Sequence, residues 1–286
     1  CQGCRAWKCV DASGSEVKYN FLTIFSTAAW GLGYFGMPHI LVRFMAIEDE
    51  KKLVLSRRIA SVWVVIAMTA GVLIGIVGLG MTKAGALDTL TGSNSETIIV
   101  RIAGIISQHN ALTALIAGII LAGILAATMS TADSQMLAAA SGVSQNIVHD
   151  FLKIKISEKT NLLIARLTIV GIAIVSIFLA RNPDSSVFKI VSFAWAGFGG
   201  AFGAVVLCSL FWKRCNLAGA IAGIISGGAT VFIWKYLVRP LGGILDIYEL
   251  LPAFIVSLIF IIVVSLLTKA PDEEIVREFE AAGKKA

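Results

Sequence analysis

Charge is scarce in this 286-residue sequence: Asp, Glu, Lys and Arg make up 15% of it, against 57% hydrophobic residues. A water-soluble domain of this length carries a more polar surface, so a bilayer is the expected solvent. A mean hydropathy of +0.85 agrees. Histidine is rarer still, with His39, His109 and His149 scattered over different loops and no pair at metal spacing. No nucleophile stands beside a plausible base, which leaves an enzymatic reading without support. Of the five cysteines, Cys1, Cys4 and Cys9 crowd the first nine residues, while Cys208 and Cys215 lie in or beside an apolar run. A zinc site at the first three would need a fourth ligand, and their spacing fits no standard pattern. The glycine run Gly197-Phe198-Gly199-Gly200-Ala201-Phe202-Gly203 lacks the register of a dinucleotide fingerprint and follows no strand. It reads as close helix packing, with Trp195 beside it in the core or facing lipid. The net charge of +6 is spread through short loops rather than gathered in a patch, which argues against a nucleic-acid partner.

What is abundant is apolar sequence long enough to cross a membrane. Seven spans are expected: Val17 to Phe35, Arg58 to Met81, Ala111 to Ala140, Asn161 to Ala180, Val187 to Trp212, Leu217 to Val238 and Tyr248 to Leu267. Most of the 24 Lys and Arg residues fall on one side of that arrangement. They occupy the segments from His39 to Arg58 and from Asn146 to Arg166, the Lys213-Arg214 turn and the tail. The positive-inside rule makes that side cytoplasmic, with the first span entered from outside and the tail inside. Ser93-Asn94-Ser95-Glu96 has the form of a capping box ahead of an apolar stretch from Thr97 to Ser107 that is too short to span. It is expected either to lie flat on the outer face or simply to fill a long loop. The expected organisation is a leading loop or ragged end over 1–16, a membrane domain over 17–268 and a charged cytoplasmic tail over 269–286.

Function is sought where a membrane helix departs from plain hydrocarbon, because polar or irregular backbone at that depth is costly unless it lines a cavity or contacts protein. The first expected span ends in Trp30-Gly31-Leu32-Gly33-Tyr34-Phe35-Gly36-Met37-Pro38-His39, where glycines and a proline follow a clean apolar run. A broken helix is expected there, with Trp30 and Tyr34 four apart on one face as an apolar wall with a polar handle. The alternative is an interfacial aromatic belt ahead of an ordinary proline stop, and spacing does not separate the two. The second departure is Leu125-Ala126-Ala127-Thr128-Met129-Ser130-Thr131-Ala132-Asp133-Ser134-Gln135. Ser130 and Thr131 offer hydroxyl oxygens, and the Ala127 carbonyl one turn earlier joins them if the helix is distorted. A neutral cage of this kind suits weak, reversible binding of sodium. Composition alone favours the other reading, a small-residue packing face. Asp133 reads as a hydrated charge at the cytoplasmic end.

These segments, together with Ser192-Phe193-Ala194-Trp195-Ala196-Gly197-Phe198-Gly199 and the run from Ser209-Leu210 through Arg214 to Gly219-Ala220 and Gly223, resemble the solute:sodium symporter family, most of all its proline-carrying members. The likeness runs from about Phe21 to Leu267. It implies an all-α integral membrane protein with a LeuT-type fold, in which this chain corresponds to the second inverted repeat plus two trailing helices. Completion of the sites would then fall to N-terminal helices of a first repeat. By the same resemblance Trp30, Tyr34 and Pro38 contact or shape the solute site, and Ala127, Ser130 and Thr131 hold the coupling ion, Na+. The implied activity is sodium-driven symport of a small amino acid, with proline expected, in the plasma (inner) membrane and in contact with lipid. Met37 stands where proline carriers are expected to have glutamine. Two other readings compete: a sensor or scaffold module that keeps the symporter architecture, and an inactive fragment.

Overall fold

The computed structural model describes residues 4–5, 8–9, 21–49, 51–154, 157–181 and 186–285. The side chains of Cys1, Cys4 and Cys9 and the expected start of the first span at Val17 lie outside the described residues. A two-residue antiparallel ladder pairs Cys4–Arg5 with Lys8–Cys9, and all else that is regular is helical. In chain order the helices are α1 (Phe21–Ala28), α2 (Trp30–Gly33), α3 (Pro38–Met45), α4 (Lys52–Lys83), α5 (Ile98–Ser107) and α6 (Ala111–Ser141). They continue as α7 (Glu158–Leu179), α8 (Val187–Phe198), α9 (Ala204–Phe211), α10 (Leu217–Ile233), α11 (Leu250–Leu267) and α12 (Glu273–Lys285).

Six described helices are long and apolar enough to cross a membrane: Lys52–Lys83, Ala111–Phe151, Glu158–Leu179, Val187–Phe211, Leu217–Leu241 and Leu250–Leu267. The first expected span is not among them: its described part is divided among α1, α2 and the 3-10 turn Tyr34–Gly36. Two boundaries differ from expectation by more than three residues. The second span starts at Lys52 rather than Arg58, because Lys, Leu and Arg are good helix formers and continue the helix through the basic stretch. The third runs on past Ala140 as α-helix to Ser141 and then as π-helix from Gly142 to Phe151.

The described residues fall into two compact units, one within Ile47–Val187 and the chain start, the other within Lys18–Ala46 and Phe188–Ala286. In the first, α5 packs on α6 and α4, and α6 on α7. Gly78 lets α5 approach α4, since a Cβ there would collide with the Ile98 side chain. Asn110 and Thr113 close a reciprocal capping box at the start of α6, each accepting from the other's backbone N–H at 2.9 and 3.0 Å. The box expected at Ser93–Glu96 does not form. Gly92–Thr97 winds as a 3-10 turn, and Glu96 instead accepts from the Ser186 hydroxyl and, at 3.1 Å, from the Val187 amide.

The second unit is built on glycine. Gly219, Gly223 and Gly227 recur every four residues along α10 and are buried against α11. A Cβ at these three positions would collide with Ser265, Ile261 and the Gly200 carbonyl respectively. Small residues at this period let two membrane helices touch backbone to side chain, and Ser257 uses the closeness to donate to the Gly223 carbonyl at 3.0 Å. The Gly197–Gly203 run is packing sequence, as expected. Its π-helical turn Gly199–Gly203 rests on Gly33, Leu32, Val231, Ala253 and Phe254. Asn216 caps α10 by accepting from the Gly219 amide at 2.8 Å, and its Nδ2 donates to Thr268 Oγ1 and to the Lys269 carbonyl, both at 2.7 Å. Arg214 donates to the Thr268 carbonyl at 2.8 Å, so the basic turn fastens the last carbonyls of α11. At the other end of the α10–α11 pair, Glu249 is 2% exposed and accepts from Arg239 at 3.0 Å, with Lys235 at 3.9 Å. The tail forms α12, whose Ile275 and Phe279 line a cavity of about 550 Å³ with Trp212 and Leu217.

Candidate functional site

The residues singled out by the sequence fall in two places, one in each unit. In the second unit the segment from α1 to α3 leaves the helical region at Met37, whose backbone is extended at φ −85° and ψ 112°. Proline demands this: its ring clashes with a helical residue before it and disfavours that conformation. Pro38 itself occupies the first turn of α3, where a missing N–H costs nothing, and the Met37 carbonyl accepts from the Ile40 and Leu41 amides, both at 3.0 Å. The helix is therefore broken where its sequence predicts, between the short 3-10 turn Tyr34–Gly36 and α3.

Trp30 packs among three other rings. It stacks with Phe188, Trp195 and Tyr248 at centroid separations of 5.6, 5.5 and 5.8 Å and interplanar angles below 20°. Trp195 donates its indole N–H to the Trp30 carbonyl at 3.0 Å, and the Tyr248 hydroxyl donates to the Ser192 carbonyl at 2.7 Å. Tyr34 meets the Trp195 ring edge-on at 4.8 Å and is 50% exposed. Trp30 and Tyr34 thus belong to one aromatic surface, as their spacing implies, but they present it differently. Trp30 is packed against other rings, and Tyr34 is the open edge. Pro38 is exposed at the break and makes no part of the stack. Phe188, Trp195 and Tyr248 complete this surface from far along the sequence. Only Trp195 stood near a recognisable motif.

In the first unit α6 stays α-helical through Ala127–Thr131, without the distortion on which access to the Ala127 carbonyl is expected to depend. The carbonyl is reached another way. Thr131 donates its hydroxyl to the Ala127 carbonyl at 3.2 Å, Thr128 to Ile124 at 2.9 Å and Ser134 to Ser130 at 3.0 Å. Such back-bonding places a hydroxyl oxygen and a carbonyl oxygen side by side while the helix remains intact. Ala127, Ser130 and Thr131 are spaced three and four apart, so their oxygens share one face. That face is exposed among the described residues. The donor set is neutral and hard, the chemistry a monovalent cation accepts. Asp133, two residues beyond Thr131, is also exposed.

Six helices long and apolar enough to cross a bilayer mark a multi-pass membrane protein. The chain belongs to the sodium:solute symporter family, which matches residues 6–227. It is 40% identical over 264 residues to the sodium/proline symporter of Haemophilus influenzae, covering 92% of this chain and 51% of that protein. The sodium/proline symporter of Escherichia coli is likewise 40% identical over 264 residues, with 92% and 51% covered. The osmoregulated proline transporter OpuE of Bacillus subtilis is 41% identical over 258 residues, with 90% and 50% covered. The chain spans about half the length of these curated relatives. No solved structure matches it at a significant level.

Proposed function

We propose that this chain carries the solute-binding and sodium-binding helices of a sodium-coupled symporter for a small amino acid, with L-proline as the solute. The observation that carries this reading is the helix broken at Met37–Pro38 next to the aromatic surface of Trp30 and Tyr34, in a chain whose relatives are named as proline carriers. The proposed fold is of the LeuT type, with the broken segment as the sixth core helix and α6 as the eighth. Proline offers an apolar ring, which the Tyr34 edge matches, and a carboxylate and amine, which need polar groups freed at a helix break.

Sodium is assigned to Ala127, Ser130 and Thr131 on α6. A carbonyl and two hydroxyls are fewer ligands than the ion takes from water, so oxygens from elsewhere in the fold complete the cage. The basic turns support a cytoplasmic tail, and in this reading the ion enters down its gradient and the membrane potential. Binding of sodium favours the conformation that accepts solute, which makes the two affinities rise together. In proteoliposomes made from the full coding sequence, an inward sodium gradient is expected to drive proline uptake at least about tenfold above a choline control, on the usual scale of coupling energies. Uptake that is equal in sodium and choline contradicts symport.

A further inference from the structure

The aromatic surface has a member that neither the sequence motifs nor the proposed solute contacts assign. Trp195 lies 165 positions from Trp30 and engages the broken segment in three separate ways. Its indole N–H donates to the Trp30 carbonyl at 3.0 Å. Its ring stacks on Trp30 at 5.5 Å and 19°, and receives Tyr34 edge-on at 4.8 Å and 81°. Gly33 lies directly under the indole, where an added Cβ would collide with Nε1 and Cδ1. The two residues proposed to meet the solute are therefore each held by the same side chain, and the glycine between them is the one that allows it to approach. By contrast, an added Cβ at Gly31, two residues earlier, meets nothing within 4 Å.

From this arrangement we propose that Trp195 is a positioning residue, setting the pose in which Tyr34 and Trp30 meet the solute. Resting on the solute site proposed above, the inference adds how that site is held. A hydrogen bond to the backbone fixes the height of the segment, and the indole face fixes the angle of the Tyr34 ring. Loss of the N–H leaves the stack but frees the segment to shift. Loss of the ring frees Tyr34 as well. A shift of this kind is felt in recognition of the solute rather than in sodium binding, which uses other residues.

The test measures proline uptake and its KM in the full-length carrier for Trp195→Phe, Trp195→Leu, Trp195→His, Gly33→Ala, Gly31→Ala and Tyr34→Ala. Membrane abundance and the sodium concentration for half-maximal uptake are followed in parallel. Trp195→Phe is expected to raise the KM about 5- to 10-fold, the usual loss for one hydrogen bond. Trp195→Leu and Gly33→Ala are expected to raise it further. Trp195→His, which keeps a ring N–H, raises it less than Phe, and Gly31→Ala behaves as wild type. With proline saturating for each variant, sodium half-saturation and abundance stay within about twofold, because the back-bonded face on α6 is not touched. An unchanged KM in the Trp195 and Gly33 variants, with Tyr34→Ala impaired, overturns the positioning role. A Trp195→Phe effect confined to abundance, with KM unmoved, overturns it too. If Tyr34→Ala also transports as wild type, the solute site itself is wrong, and the positioning role falls with it.

Discussion

Replacing both hydroxyls in Ser130→Ala/Thr131→Ala is expected to raise the sodium concentration for half-maximal proline uptake by on the order of 100-fold or more, with normal insertion. Each contact between a polar group and a charged one contributes about 1.5–3 kcal/mol, so each lost ligand costs roughly 10- to 100-fold in affinity. The single variants should fall between. The fold has little at stake in these hydroxyls. Thr131 bonds only one turn back along its own helix, and both side chains are exposed among the described residues, so their removal leaves α6 intact. A purely structural role would show the reverse pattern: lower abundance with an unchanged sodium requirement. Uptake assays at varied sodium, normalised to protein in the membrane, separate the two.

Gly227→Ala is expected to destabilise the carrier by about 3 kcal/mol or more, whereas Gly228→Ala stays within about 0.5 kcal/mol. The two glycines are neighbours and share the same helix propensity, so the contrast isolates packing. A Cβ at Gly227 meets the Gly200 carbonyl, and the Ser257 side chain blocks the way out. Backbone in the Gly199–Gly203 π-turn cannot rotate aside as a side chain can. At Gly228 the nearest atom is the Ala201 Cβ at 3.8 Å, an ordinary contact. Thermal unfolding of the purified variants reads the difference. Equal melting temperatures would mean that α10 and the turn are not in close contact in the membrane.

The local features of this protein were legible in its sequence, and the distant ones were not. Glycine and proline at Gly31, Gly33, Gly36 and Pro38 announce a break because they act on their own backbone, and the break lies at Met37. The packing role of Gly197–Gly203 follows from the same reasoning, since small side chains have few other uses inside a bilayer. Glu96 illustrates the limit. Its spacing from Ser93 fits a capping box, yet its carboxylate bonds Ser186 and Val187, some ninety residues on, and no local pattern records that choice. Trp195 is hidden for the same reason: its partners lie 165 positions away. On α6 the residue types were legible, but the geometry was not: the Ala127 carbonyl pairs with the Thr131 hydroxyl without any helix distortion.

Reciprocal binding tests the central claim most directly. Equilibrium sodium binding to the purified full-length carrier is measured with and without saturating proline, and proline binding with and without saturating sodium. The account predicts that each ligand tightens the other by the same factor, about 5- to 150-fold, as linkage requires of coupled sites. Proline that binds equally well in sodium and in choline would contradict it.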